Sequence, residues 1–265
     1  MKYFIVADIH SHYDILREVL DEKGFSPDSD HILVLLGDAF DRGGQTCKTA
    51  DFLLSLHDKG KLIFIYGNHE ELLVKCLQQL ACGDDPADIA MSYHARNGTW
   101  QTLLELAEMT EDEAIKYPRT LISKVMSTRA YRELLPSCID YYETKKYIFV
   151  HGYVPCYVQG IRPREAYAFD SNWREAPPED WRRARWSNGA EIACKHCVRV
   201  PDKTVVCGHW HTSYAHHTFE KKCSEWGEDA DFSPFFSADG SVIAIDACTA
   251  YSGKMNCLVF DEDEL

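Results

Sequence analysis

The chain has 265 residues, 45% of them hydrophobic, and 42 Asp and Glu against 28 Lys and Arg leave a formal net charge of −14. That excess of acid excludes the basic footprint needed to grip nucleic-acid phosphates and suits cation binding instead. No run reaches the ~20 apolar residues of a membrane helix, and the stretch MKYFIVADIH meets Asp8 and His10 too early for a secretory signal, so the eleven cysteines are expected as reduced thiols in a cytoplasmic protein.

The first element, KYFIVADIH, is an apolar, β-branched run that predicts a strand ending in Asp8-x-His10. DILREVLDEKG follows as a helix with Ile15, Val19 and Leu20 on one stripe and Gly24 as its stop. HILVLLGDAFD predicts the second strand and delivers Asp38, Asp41 and Arg42; KTADFLLSLHDKG is a helix closed by Gly60. KLIFIYGNHE is the third strand, running into Asn68, His69 and Glu70, and EELLVKCLQQLACG is a helix closed by Gly83. Residues 84–136 are polar and helix-patterned, with TWQTLLELAEM and TLISKVMSTRAYRELL amphipathic; this reads as a helical insertion that either caps the site or serves packing alone. KYIFVHG predicts a strand ending at His151. Gln159 to Glu191, with its prolines and DWRRARWSNG, reads as a long surface loop. KTVVCGHWH delivers His209 and His211, and SVIAIDAC and KMNCLVF supply two closing strands. Strands apolar on both faces and alternating with helices predict an α/β fold, one domain over 1–265, with its site at the carboxyl ends of the strands.

The strand ends share a chemistry. Asp8, His10, Asp38, Asn68, His151, His209 and His211 are seven oxygen and nitrogen donors without a thiolate, which suits Mn, Fe, Zn or Mg-type ions. Seven donors are too many for one tetrahedral ion and match two ions sharing a carboxylate, for which Asp38, from the central strand of the first three, is the natural bridge. Cys194 and Cys197 form only one Cys-x-x-Cys pair, too few ligands for a structural zinc.

Taken together, ADIHS, GDAFDRG, GNHE, HGY and GHWH resemble the motif series of the metallophosphoesterase (calcineurin-like) superfamily, in its bacterial and phage phosphoprotein-phosphatase-type branch. RNGTWQTL and IDACTAYSGKMNCLVF resemble two further elements of that branch, so the likeness spans most of the chain. The resemblance implies a four-layer sandwich of two mixed β-sheets flanked by helices. It also implies that Asp8, His10, Asp38 and His211 hold one divalent ion and that Asp38, Asn68, His151 and His209 hold the other. Manganese is the expected metal, with iron, zinc, nickel or magnesium able to serve. On this reading hydroxide bridging the ions attacks phosphorus, Arg42 grips the phosphate, His69 protonates the leaving group and Asp41 orients His69. A second phosphate-binding arginine is usual in the family; DWRRARW offers Arg182, Arg183 and Arg185, and Arg185 is the favoured candidate.

Three departures from the family pattern stand out: ADIHS lacks the flanking glycines, RNGT lacks a second glycine, and His211 is an imidazole that the protein phosphatases usually lack. The expected function is therefore a dinuclear-metal phosphomonoesterase acting on phosphoserine, phosphothreonine or phosphotyrosine proteins. The alternatives are hydrolysis of dinucleoside polyphosphates or another small phosphorylated metabolite, a phosphodiesterase, and a catalytically inactive binding scaffold. Neither a nucleic-acid nor a membrane partner is expected.

Overall fold

Alternate residues of each central strand enter different cores, and that alternation builds the layers. In a computed structural model, which describes residues 1–159, 166–169 and 171–265, strands β1 (Lys2–Val6), β2 (His31–Leu35) and β3 (Leu62–Phe64) run parallel. Phe4, Val6, Leu33 and Leu35 face a helical core, while Tyr3, Ile5, Val34 and Leu36 face the opposite way. The second sheet repeats the rule. Phe149 of β5 (Tyr147–Val150), Val206 of β8 (Thr204–His211) and Ile243 and Ile245 of β10 (Val242–Asp246) pack against that inner face, and Ile148, Val150, Val205, Val242 and Ala244 face outward. A period of two on strands buried on both sides thus gives a sheet-on-sheet sandwich with helices on each flank.

Each sheet is mixed. The first has the order β11-β1-β2-β3, with β11 (Cys257–Asp261) antiparallel to β1. The second has the order β4-β5-β8-β10-β9; its parallel centre is edged by antiparallel β4 (Tyr141–Glu143) and β9 (Phe235–Phe236). β6 (Cys156–Gln159) and β7 (Ala166–Phe169) form a separate antiparallel pair.

Helices α1 (Tyr13–Glu22), α2 (Thr46–Asp58) and α3 (Asn68–Cys82) cover the first sheet, and Gly24, Gly60 and Gly83 follow them at positive φ, as C-terminal glycines do. The segment 84–136 folds as α4 (Pro86–Ala90), α5 (Tyr93–Arg96), α6 (Thr99–Ala107), α7 (Glu111–Lys116) and α8 (Pro118–Ser127), and its Trp100, Leu103, Leu121 and Val125 join the same core as α2. TLISKVMSTRAYRELL is not one helix. It breaks at Thr128, whose hydroxyl donates to Val125 O and accepts from Tyr131 N before a π-helical turn at Ala130–Leu134.

The expectation of a loop over Gln159 to Glu191 is corrected within the described residues. β7 is followed by α9 (Pro178–Trp186) and α10 (Gly189–His196), so DWRRARW lies on a helix. Pro178 at the first helical position and Glu179 and Asp180 in the first turn are helix-start signals that a proline-rich stretch disguises. The rest of that expectation, at 160–165 and 170, lies outside the described residues.

Two glycines let the strand ends close on one another. Gly37 (φ +88°) would put a Cβ 2.7 Å from both Gly67 Cα and His151 Nδ1, and a Cβ on Gly67 would meet the Asp38 carboxylate and backbone. Gly67→Ala is expected to cost at least about 2 kcal/mol of unfolding free energy in urea titration, because the methyl meets packed polar groups rather than a yielding side chain. A loss under about 0.5 kcal/mol, the scale of an ordinary surface change, would show that the turn yields freely.

Candidate metal centre

All the sequence-predicted donors leave the strands at one edge of the sandwich, and the backbone there is strained. Asp8, His10, Asp38, Asp41, Arg42 and His209 all adopt positive φ, between 45° and 73°. Side chains rarely accept that region, and its concentration at one place is the mark of a site held by its surroundings. The holding is visible. The Glu70 carboxylate, buried beneath the turn, accepts from Gly67 N (2.9 Å), Asp38 N (2.9 Å) and Ala39 N (2.8 Å). Burial, with the Asp38 charge beside it, pushes the Glu70 carboxyl up to about 7, and the backbone donors oppose that rise.

Asp38 is the centre. Its Oδ2 lies 3.8 Å from both His10 Nε2 and His69 Nε2, and its Oδ1 lies 3.4 Å from His151 Nε2 and accepts from His69 N at 3.0 Å. Burial acts to raise its carboxyl, but His151, His69, His10 and His209 around it bring it below the ordinary range. Two groups of three donors therefore share it, His10–Asp38–His69 and Asp38–His151–His209, with the ligand atoms of each within 4.8 Å of one another.

The donors fit cations. His151 donates from Nδ1 to Leu36 O at 2.7 Å, which leaves the Nε2 lone pair facing Asn68 Oδ1 at 2.7 Å and Asp38 Oδ1. Acceptors converging on acceptors in a buried place are reconciled by a cation between them. His10 likewise donates from Nδ1 to Phe40 O (2.9 Å), and its Nε2 accepts from the Arg42 guanidinium at 3.0 Å. Burial holds His10 well below the ordinary imidazole range and His209 at about 3, so both are neutral, ligand-ready rings at pH 7.

Asp8 and His211 complete the edge without joining either group of three. The Asp8 carboxylate accepts from His209 N (2.9 Å), and burial, then Asp246 and Asp38, hold its carboxyl well above the usual range. His211 is partly exposed, with Nε2 3.8 Å from Asp246 Oδ2 and its ring edge-on to Trp226 at 5.5 Å. Asp246 is a buried acid that the sequence reading passed over. Its signal was present, since SVIAID ends a strand in a carboxylate as FIVAD and VLLGD do.

Arg42, His69 and Asp41 form a chain. His69 donates from Nδ1 to Asp41 Oδ2 at 2.7 Å, while its Nε2 accepts from Arg42 Nη2 at 3.1 Å. Burial works to lower the His69 pKa, but Asp38 and Asp41 overcome it and the group sits above its ordinary value. Asp41 is fully buried and accepts in addition from Thr99 Oγ1 (2.6 Å) and Thr102 Oγ1 (2.7 Å) of α6. The helical segment thus supports the site from behind, a role that the RNGTWQTL likeness did not reveal.

Arg185, the candidate second phosphate arginine, is held by three neighbours. Its Nη1 donates to Asp140 at 2.6 Å, its Nη2 lies 3.8 Å from Glu71, and its guanidinium covers the Tyr66 ring at 4.7 Å. Arg182 donates to Glu71 at 2.6 Å and Arg183 lies 3.3 Å from Asp180.

Comparison with known proteins agrees with this geometry. The chain is 33% identical over 121 residues to a symmetrical bis(5'-nucleosyl)-tetraphosphatase from Aromatoleum aromaticum, a match covering 46% of this chain and 39% of that one. It is 35% identical over 75 residues to serine/threonine-protein phosphatase 2 of Salmonella typhimurium, covering 28% of this chain and 32% of that one. These matches span less than half the length of either curated relative. The fold is shared with a metallophosphoesterase from Sphaerobacter thermophilus, at a TM-score of 0.52 and 15% identity over 100% of this chain and 85% of that one. Residues 1–213 match the calcineurin-like phosphoesterase model, and the chain belongs to that family.

Proposed function

We propose that the protein is a metal-dependent hydrolase of phosphoric esters and anhydrides, with dinucleoside polyphosphates as its substrate class. The observation that carries the reaction is the Asp38 carboxylate, whose Oδ2 faces His10 and His69 and whose Oδ1 faces His151; His10 and His151 are read as ligands, and His69, held by Asp41, as the proton donor. The substrate class is supported by the longer curated match, 121 residues against 75. This reading departs from the expectation of a phosphoprotein phosphatase, which stays as the competing outcome of the substrate test.

Asp38, His10, Asn68, His151 and His209 would hold two divalent cations, manganese foremost, with Asp8 and His211 at their flanks. Such ions supply Lewis acidity and an activated water. The chain's own part begins with Arg42. Its guanidinium spans His10 Nε2 and His69 Nε2, so an arriving phosphate takes up the fork in two parallel hydrogen bonds and draws it from His69. His69 Nε2 is then free to take a proton from solvent. Asp41 keeps the ring oriented through Nδ1, and as the P–O bond breaks His69 gives the Nε2 proton to the leaving oxygen. Thr99 and Thr102 fix the Asp41 carboxylate so that the ring cannot tilt. Among the described residues no helix is long and apolar enough to cross a membrane.

Chelation is expected to abolish hydrolysis of p-nitrophenyl phosphate and added Mn²⁺ to restore it; activity indifferent to chelator would remove the metal reading. Mn²⁺ at a hundredfold excess over its dissociation constant should raise stability by about 2.7 kcal/mol for each cation bound, seen as a higher melting temperature. Asp38→Asn should lose most of that gain, and an undiminished shift would place the cations elsewhere.

The acid role has its own test. His69→Asn is expected to lower kcat about 10²- to 10⁴-fold on phenyl phosphate and distinctly less on p-nitrophenyl phosphate, whose leaving group needs little protonation. Equal losses on both would deny the role. For substrate class, kcat/KM on diadenosine tetraphosphate should exceed that on phosphothreonine and phosphotyrosine peptides at least tenfold; the reverse order favours a protein phosphatase.

A further inference from the structure

A cavity of ≈ 880 Å³ that the reaction chemistry does not use is lined in part by Tyr66, two residues before Asn68. Its walls include the rings of Tyr66, Tyr141 and Trp181, the guanidiniums of Arg174 and Arg185, and the Asp140 carboxylate. The volume is that of a small-molecule site. Tyr66 precedes Asn68 by only two residues, so its Cα is at most about 7 Å from that of a candidate metal ligand. A group seated on Tyr66 is therefore within a short molecule's reach of the phosphate position.

The charges in the cavity are already matched. Arg174 donates through two nitrogens to Glu143, and Arg185 donates to Asp140. Guanidiniums neutralised in this way make a poor trap for a free phosphate, and they still present flat faces and hydrogen-bonding edges. Tyr141 and Trp181 are stacked at 5.3 Å with planes 9° apart, and Arg185 lies flat on Tyr66. Two polar features have hydrogen-bonding capacity left, although only the second is exposed. Arg185 is buried, and its Nε has no hydrogen-bond partner. The Asp140 side chain, at 41% exposure, can accept further bonds. A planar, uncharged heterocycle with donors on its rim suits this lining: it lies against the margins of the aromatic and guanidinium groups while its rim donates to the exposed Asp140 oxygens.

We infer that this cavity is a nucleobase subsite, taking a purine of the substrate while its phosphates lie at the metal centre. The inference rests on the dinucleoside-polyphosphate reading and names what recognises the nucleoside end. Ile139 lines the same cavity and is partly exposed, at 42%, so a larger side chain there obstructs the space with little cost to the core.

The test is photolabelling of the full-length, Mn²⁺-loaded protein with 2-azidoadenosine, a probe without phosphate, followed by peptide mapping. Label is expected on peptides carrying Tyr66, Tyr141 or Trp181, with adenosine protecting at a concentration at least tenfold lower than ribose. Ile139→Trp should cut labelling at least fivefold, and the wild-type map decides the matter alone if that variant does not fold. Label confined to other peptides, equal protection by adenosine and ribose, or protection by N-acetyltyrosinamide but not adenosine would overturn the inference. If the cavity labels as expected and diadenosine tetraphosphate is not hydrolysed, the subsite stands and the substrate reading fails. If that compound is hydrolysed and the cavity does not label, the subsite alone fails.

Discussion

The arrangement depends on one buried carboxylate that holds no metal. Glu70 gathers the backbone N–H groups of Gly67, Asp38 and Ala39, and so locks the ends of β2 and β3 together. Asp38 sits at φ 54°, a conformation costly for a side chain bearing Cβ, and it persists because the amide on either side of that residue is already committed. Once Asp38 is fixed, its oxygens are fixed, and the imidazoles from four other segments can be set around them. Gly37 and Gly67 are required for the same reason, since the two loops approach too closely for a methyl group.

Electrostatics then assigns the parts. Asp8, Asp38 and Asp246 are buried together, an arrangement that burial and mutual repulsion disfavour unless positive charge is near. Neutral His10 and His209 add lone pairs without adding charge. Asp41, a few residues from Asp38, is different in kind, because its oxygens are taken up by Thr99, Thr102 and His69. One carboxylate is left facing the imidazoles and the other is saturated, and on the proposed function that difference would separate a ligand from a positioning group. The opposite histidine edges make the same distinction. His151 is backed by Leu36 O and looks toward Asn68, whereas His69 is backed by an acid and looks toward Arg42.

The helical segment and the second sheet bring their own consequences for a substrate. α6 lies behind Asp41, so helices that could have formed only a cover instead hold the Asp41 carboxylate on which His69 rests. α9 turns its arginines toward Glu71, Asp140 and Asp180, and the space it encloses with Tyr66 and Tyr141 is aromatic and charge-balanced. On the proposed reading, phosphate at the metal edge and a flat ring near it would be recognised by different surfaces of neighbouring residues.

The sequence alone determined the strands that carry the donors and the residues at their ends. An apolar run that gives way within a few residues to Asp, His or Asn is a local pattern, and it recurs at Asp8, Asp38, Asn68, His151 and His209, the last of these within the end of β8. It also determined the helix ends at Gly24, Gly60 and Gly83, because a left-handed C-terminal residue is a local requirement. Only the tertiary structure decided what meets across long separations. Thr99 and Thr102 reach Asp41 from about sixty residues away, Asp246 joins Asp8 from the far end of the chain, and Arg185 pairs with Asp140 beside Tyr66. Asp246 does end a strand in a carboxylate, but none of these pairings is marked in the chain itself, because a hydroxyl, carboxylate or guanidinium is matched by whichever group the packing of helices on sheets brings near, and packing is a property of the whole core.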